Sequence, residues 1–188
     1  MSTTALFTLD DYDHMIVCGA FDPPHHRRCE LIRGEIRDMS PIGPEHGEVV
    51  DFLNAWSFAV TSRREVRIRI QSSIGFPELD SAPEPDVVWA VRKSYAKRRP
   101  EPPDVLLLIE VADSTVQYDL GEKADLYAEA GISDYWVVDI PNFRIHVHRQ
   151  PTADGFQSLE TFAIGDTIHP LTKPDATLDV AELFTCLQ

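Results

Sequence analysis

The sequence is short of cysteine, short of basic residues and without any long apolar run. Its three cysteines, Cys18, Cys29 and Cys186, are odd in number, widely separated and free of C-x-x-C spacing. That pattern argues against a disulfide framework and a thiolate zinc site, and leaves reduced, packed thiols as the expectation. No stretch approaches the about 20 apolar residues that a membrane helix needs, and the opening MSTTALFTLDD lacks the basic and apolar regions of a secretory signal. A soluble, cytoplasmic protein without membrane contact is expected. Only 17 Lys and Arg face 31 Asp and Glu, for a net charge of −14. Such a balance weighs against a surface that holds nucleic acid by neutralising phosphates throughout.

The shortage of positive charge is uneven. Between Thr61 and Pro100 nine cations, from Arg63 to Arg99, meet five acids, a local balance of +4 that leaves −18 on the rest of the chain. Such an island reads either as a solvated face or as a patch for an anionic partner.

At 188 residues and 43% hydrophobic composition, residues 1–188 fit one compact domain with a sizeable core. Thr8 with Asp11 resembles a capping box opening a helix through about Val17, followed by a turn at DPPHHR. CELIR and EIRDM flank Gly34 like the arms of a hairpin. A helix is expected from Glu45, because Val49, Phe52, Leu53, Trp56 and Val60 recur at three- and four-residue spacing; His46 borders that stripe. Val66, Ile68 and Ile70 alternate with Arg67 and Arg69 as in a half-wet strand, and PDVVWAV and PDVLLLIEV supply further strands. After Asp119 a second helix should bury Leu120, Ala124 and Tyr127 and stop at Gly131. DYWVVD, FRIHVHR and FQSLETFAI then read as strands, the first two as a hairpin. Strands before and after a helix predict an α/β (α+β) fold, a mixed β-sheet flanked by helices.

The chemistry gathers around two acids. Glu110 closes a buried aliphatic run, where an ionised carboxylate without a partner costs several kcal/mol, roughly, so a cation, a metal or a proton must accompany it. If PDVVWA and DVLLLIEV are neighbouring strands, Asp86 projects at the same end of the sheet, and the two carboxylates can share a hard cation such as Mg²⁺. Lys123 lies three residues after Leu120 and four before Tyr127, which turns its ammonium toward the core and makes it a candidate partner for Glu110. Singly, each has a plainer reading: Asp86 capping a turn, Glu110 at an exposed strand end, Lys123 with its stem on the core and its charge in water. Jointly they form what metal-assisted phosphodiester hydrolysis needs: acids to hold the metal and a cation to orient water or offset developing charge.

CELIRGEIRDMSPIGPEHGEVV, EPDVVWA and LLLIEVADSTVQYDLGEKADLYAEAGISDYWVVD closely resemble the Uma-type restriction endonuclease family, a former domain of unknown function in the PD-(D/E)XK nuclease superfamily. The resemblance spans about residues 28 to 165, with its motifs in family order. It implies a restriction-endonuclease-like fold and a Mg²⁺-dependent DNA endonuclease, with Mn²⁺ as the alternative ion. Asp86 matches the acid of the PD motif and Glu110 that of the (D/E)XK motif. The chain departs from the plain motif at Ala112, where lysine is usual; the resemblance implies that this lysine has migrated to Lys123. Glu30 and His46 match further polar positions of the family, and Gln71 is a weaker match.

Other polar residues carry less. His146 and His148 would share one face of a strand, as a transition-metal pair could, but no third ligand is near and a solvated face is expected. His25 and His26 sit in a Pro-rich loop expected at the surface. Ser114 and Thr115 lack a G-x-S-x-G elbow and read as the start of a turn. Two rival functions remain: a catalytically quiet nucleic-acid-binding or assembly module with the same fold, and a metal-dependent hydrolase of a substrate other than DNA. Homo-oligomer formation is left open.

Overall fold

A computed structural model of the 188-residue chain describes residues 4–22 and 28–187. The DPPHHR turn, with His25 and His26, falls largely outside the described residues. The chain opens on α1, Leu9–Val17, whose Thr8 and Asp11 form the expected reciprocal capping box. A hairpin follows, β1 Cys29–Ile32 against β2 Glu35–Asp38, turned at Arg33 and Gly34, both with positive φ. At Gly34 a side chain is excluded twice, by the φ of +78° and by Leu6 Cβ, 2.9 Å from where its Cβ would lie.

The long helix α2, Pro44–Val60, starts with proline in its first turn and buries Val49, Val50, Leu53 and Ser57 along one side. It lies against a six-stranded sheet: β3 Val66–Ile70, β4 Val87–Val91, β5 Val105–Ala112, β6 Asp134–Asp139, β7 Arg144–Thr152 and β8 Gly155–Ala163, in that spatial order. Only β5 and β6 are parallel; every other neighbouring pair is antiparallel. A parallel pair needs a crossover, and two helices supply it, α3 Val116–Leu120 and α4 Glu122–Glu129. After β8 a small pair, β9 Thr167–Ile168 with β10 Leu178–Asp179, leads into α5, Val180–Thr185.

Strand alternation sends side chains to two cores. Val87, Trp89, Leu107, Ile109 and Val111 meet α2 and α5 on one face. Trp89 is anchored there by an indole N–H donated to Ser57 Oγ at 2.8 Å and by Trp56 stacked at 5.3 Å. Val88, Ala90, Leu108, Ala112 and Tyr135 meet the α4 side chains Leu126 and Tyr127 on the other. Each fully buried aliphatic side chain here contributes about 1.5–3 kcal/mol relative to exposure. The first core also takes in Ile168, Leu178, Leu183 and Phe184, so the C-terminal segment beyond residue 165 packs into the same core.

Three local expectations are corrected. The helix placed after Asp119 begins earlier, at Val116, and is broken into α3 and α4 at Gly121, where a Cβ would meet Gln117 O at 2.8 Å. Cys18, at the C-terminal end of α1, is exposed rather than packed, whereas Cys29 is buried. The strand histidines share a face, but it is not solvated: His148 is buried against Tyr135 and Phe156, and His146 contacts Asp139 and Thr161.

Candidate active site

The strand registers place the two motif acids. β4 and β5 are antiparallel neighbours with Val87 opposite Ile109, so Asp86, just before β4, and Glu110, near the end of β5, come to the same end of the sheet. Their sequence parity with Val88 and Leu108 puts both on the face covered by α3 and α4. Both are buried, with 6% and 4% of their surface exposed.

Asp86 is held on three sides. Its Oδ1 accepts from His46 Nε2 at 2.8 Å and from the Gln71 amide at 3.1 Å, and its Oδ2 accepts from the Val111 backbone N–H at 2.8 Å. An ionised carboxylate can only accept, so Nε2 of His46 carries a proton. Burial would raise the Asp86 pKa, but His46, the Val111 N–H and Gln71 together hold it below the ordinary value. Gln71, the weakest match in the sequence, thus touches an acid of the site directly. It does so from a left-handed backbone, φ 44°, a conformation that costs a non-glycine residue about 1 kcal/mol or more.

Glu110 occupies what would otherwise be a core position, and α4 supplies its partners. Lys123 Nζ donates to Oε1 at 3.0 Å and the Tyr127 hydroxyl donates to the same oxygen at 2.7 Å. Both bonds fall on Oε1; Oε2 takes neither. The Lys123 ammonium also lies 3.4 Å from Glu30 and 3.9 Å from Asp119. Lys123 is itself only 4% exposed, so the reading in which its charge reaches water does not hold. Burial disfavours its charge, but Glu110, Glu30 and Asp119 outweigh that and raise its pKa. The Glu110 pKa is raised as well: burial raises it, Lys123 opposes this, and Asp119, Asp86 and Glu30 add to it.

The β1–β2 hairpin delivers Glu30. One of its oxygens accepts from the Glu84 N–H at 3.3 Å and the other from the Tyr118 hydroxyl at 3.4 Å. Arg37 on β2 ties the hairpin to the crossover, bonding Glu122 at 2.7 Å and the Tyr118 hydroxyl at 3.3 Å. All five residues expected from the sequence, Glu30, His46, Asp86, Glu110 and Lys123, line one cavity of about 330 Å³.

Tyr118, Tyr127 and Asp119 also belong to this cluster. The sequence reading gave Tyr127 a packing role only and treated Asp119 as a helix boundary. Asp119 is instead buried inside α3, accepts from the Thr115 hydroxyl, and has its pKa pushed up to about 6, chiefly by burial. The four-residue spacing of Asp119 and Lys123 was the signal that could have found it.

The donor set suits a hard divalent ion in kind, since Asp86 and Glu110 offer carboxylate oxygens in a site with an excess of negative charge. Among the described residues, no three His, Cys, Asp or Glu side chains converge into a ready-made metal cage. An ion held by one or two carboxylates, with water and substrate phosphate completing its shell, does not require one.

Known proteins agree with this architecture. The model of the Uma2 family, described as "Putative restriction endonuclease", matches residues 9–181, and the chain belongs to that family. A solved structure described as a putative nuclease belonging to DUF820, from Anabaena variabilis ATCC 29413, superimposes with a TM-score of 0.76 over 97% of this chain and 99% of the other, at 17% identity. The fold is therefore that of the nuclease-like mixed sheet. No curated protein matches the chain in sequence. Among the described residues no helix is long and apolar enough to cross a membrane.

Proposed function

We propose that the chain is a metal-dependent endonuclease that hydrolyses DNA phosphodiester bonds, with Mg²⁺ as the ion and Mn²⁺ as its substitute. The observation that carries this reading is the buried Lys123 ammonium, 3.0 Å from Glu110 in a cavity that Asp86 also lines. A structural ion pair has no need of a further carboxylate poised on the adjacent strand and of a cavity open to a ligand. Family membership supports a nuclease as the class.

Asp86 and Glu110 would hold the ion, which when bound polarises a phosphate oxygen and makes its water more acidic. His46 and Gln71 fix the Asp86 carboxylate through Oδ1. Tyr127 and Lys123 fix Glu110 through Oε1. Lys123 also presents a positive charge to the cavity, where it can orient the attacking water or offset charge that develops on the phosphate. Glu30 and Asp119 keep that lysine charged. Most of the rate enhancement in such a site comes from groups already aimed before the substrate arrives, and the hydrogen-bonded shell around both acids meets that requirement.

Cleavage of supercoiled, linear and branched DNA with Mg²⁺ or Mn²⁺, run beside Asp86→Ala, tests the reading. Nicking or linearisation that depends on metal and disappears in the variant is expected. Absence of cleavage with either ion on every substrate would favour the catalytically quiet module.

A further inference from the structure

Of the eight described Lys and Arg residues that make no ion pair, six belong to neighbouring segments, the other two being Arg144 and Lys173. Arg63, Arg64, Arg67, Arg69, Arg92 and Lys97 have no carboxylate partner among the described residues, although acids outnumber bases by 14 in the chain. All six belong to β3, the turn before it, and the loop after its neighbour β4. In a protein with this excess of carboxylates, cations left unpaired side by side repel one another, and an external anion relieves that repulsion.

The register turns this cluster into a track. Val66, Ile68 and Ile70 pack toward the α2 core, so Arg67, Arg69 and Gln71 stand on the opposite face, the one that carries Asp86 and Glu110. Arg67 pairs with Ala90 and Arg69 with Val88, while the Gln71 N–H bonds Asp86 O and its side chain bonds Asp86 Oδ1. Two cations thus precede Gln71 at two-residue steps along an edge strand, and the file ends on an acid of the cavity. Arg67 is exposed. Arg69 lies 5.8 Å over the Tyr95 ring, and its Nε is buried without a hydrogen-bond partner. With Nε enclosed, the fork left for an anion is the pair of terminal N–H groups, held on an aromatic face.

The cavity end of the track selects what kind of anion carrier fits. The acids lie deep, in a space of about 330 Å³, and the exposed Asp113 lines the same cavity. A duplex carries phosphates on two strands, and its second backbone would meet the net negative charge of the cavity and its rim at Asp113. One extended strand meets only the cationic file and can lead a single phosphodiester inward.

We propose that the substrate is a single, unpaired nucleic-acid strand, whose backbone phosphates run along β3 on Arg67 and Arg69 toward Gln71 and the cavity. The proposal rests on the nuclease reading for its chemistry, but the docking strip can be measured without any cleavage.

The test is fluorescence anisotropy with labelled oligo(dT) of about 16 nucleotides and a duplex of equal length, in chelator, across a salt series. Oligo(dT) should bind about tenfold or more tighter than duplex. Arg67→Gln with Arg69→Gln should reduce the salt slope by about 1.4, roughly 0.7 for each lost phosphate contact, and weaken binding about tenfold. Arg67→Gln alone, at an exposed position where folding is not at stake, should remove about half of that slope. Lys173→Gln, an unpaired cation in the segment between β9 and β10, should change neither. Equal or tighter binding of the duplex, or a Lys173→Gln loss as large as that of the Arg pair, overturns the proposal. Strand binding that depends on Arg67 but is never followed by cleavage with any metal would uphold the docking strip and remove the nuclease reading instead.

Discussion

Lys123 and Glu110 are 13 residues apart in sequence and 3.0 Å apart in space, one on the crossover helix and the other on the strand that feeds it. Their ion pair is enclosed by Glu30 and Asp119, so removing the cation leaves three buried carboxylates facing one another. Lys123→Met, which keeps the bulk of the stem, should cost about 3 kcal/mol of stability in urea unfolding. Adding Glu110→Gln should return part of that loss, because it removes the charge that the lysine had compensated. Strictly additive costs in this cycle would show that the two residues do not act as a pair. On the nuclease reading, Lys123→Ala should also abolish cleavage while leaving most strand binding, since a cation acting mainly on the transition state adds little to ground-state affinity.

Divalent metal should stabilise the folded protein. A bound ion relieves the repulsion among Asp86, Glu110 and their neighbours and adds its own binding free energy to the native state. The melting temperature should rise with Mg²⁺ or Mn²⁺, by an amount that saturates, and the rise should vanish in Glu110→Ala. A protein of charge −14 also attracts cations loosely, so the variant is the deciding control. Equal shifts in both proteins would mean screening alone.

These expectations rest on a candidate site whose clustering was largely legible in the sequence. Asp86, Glu110 and Lys123 could be brought together because strand alternation and the spacing of Lys123 from Leu120 and Tyr127 are short-range rules. Glu30 and His46 came only from family resemblance, because their approach depends on how the β1–β2 hairpin and the start of α2 dock, which no local period encodes. The break at Gly121 was missed for a related reason. The hydrophobic stripe runs on through α3 and α4, and only the close approach of Gln117 O reveals that the backbone must turn there. Likewise His148 looked solvated because alternation tells which side of a strand a residue faces, not whether that side is covered; Phe156 from β8 and Tyr135 from β6 cover it.

That burial makes His148 a source of acid sensitivity. Its pKa is pushed down to about 4 from an ordinary 6.5, first by burial and then by His146. Between those values the unfolded chain binds a proton that the folded protein refuses. The stability is therefore complete above pH 6.5 and is lost progressively as the pH falls toward 4. At pH 5 the loss should be about 2 kcal/mol, from 1.36 kcal/mol per unit. Comparing urea unfolding at pH 7.5 and pH 5, His148→Phe should show a smaller drop than the wild type by that amount. Identical drops would locate the acid sensitivity elsewhere, among the carboxylates.

Tyr127 offers the finest test of how the site is held. Its ring is packed edge-on against Tyr135 at 4.8 Å and Phe76 at 6.0 Å, and its hydroxyl reaches Glu110 Oε1 at 2.7 Å. Tyr127→Phe keeps the ring and removes only that donor. The lost hydrogen bond should cost about 1–2 kcal/mol of stability, because the acceptor is a buried carboxylate. If the hydroxyl serves mainly to aim Glu110, the variant should lower kcat on the order of tenfold while leaving KM for the strand nearly unchanged, since phosphate contacts along β3 are untouched. The metal-induced rise in melting temperature should shrink without disappearing. A variant that loses the same stability but keeps both kcat and the full metal response would make Tyr127 a packing residue whose bond to Glu110 serves the core alone.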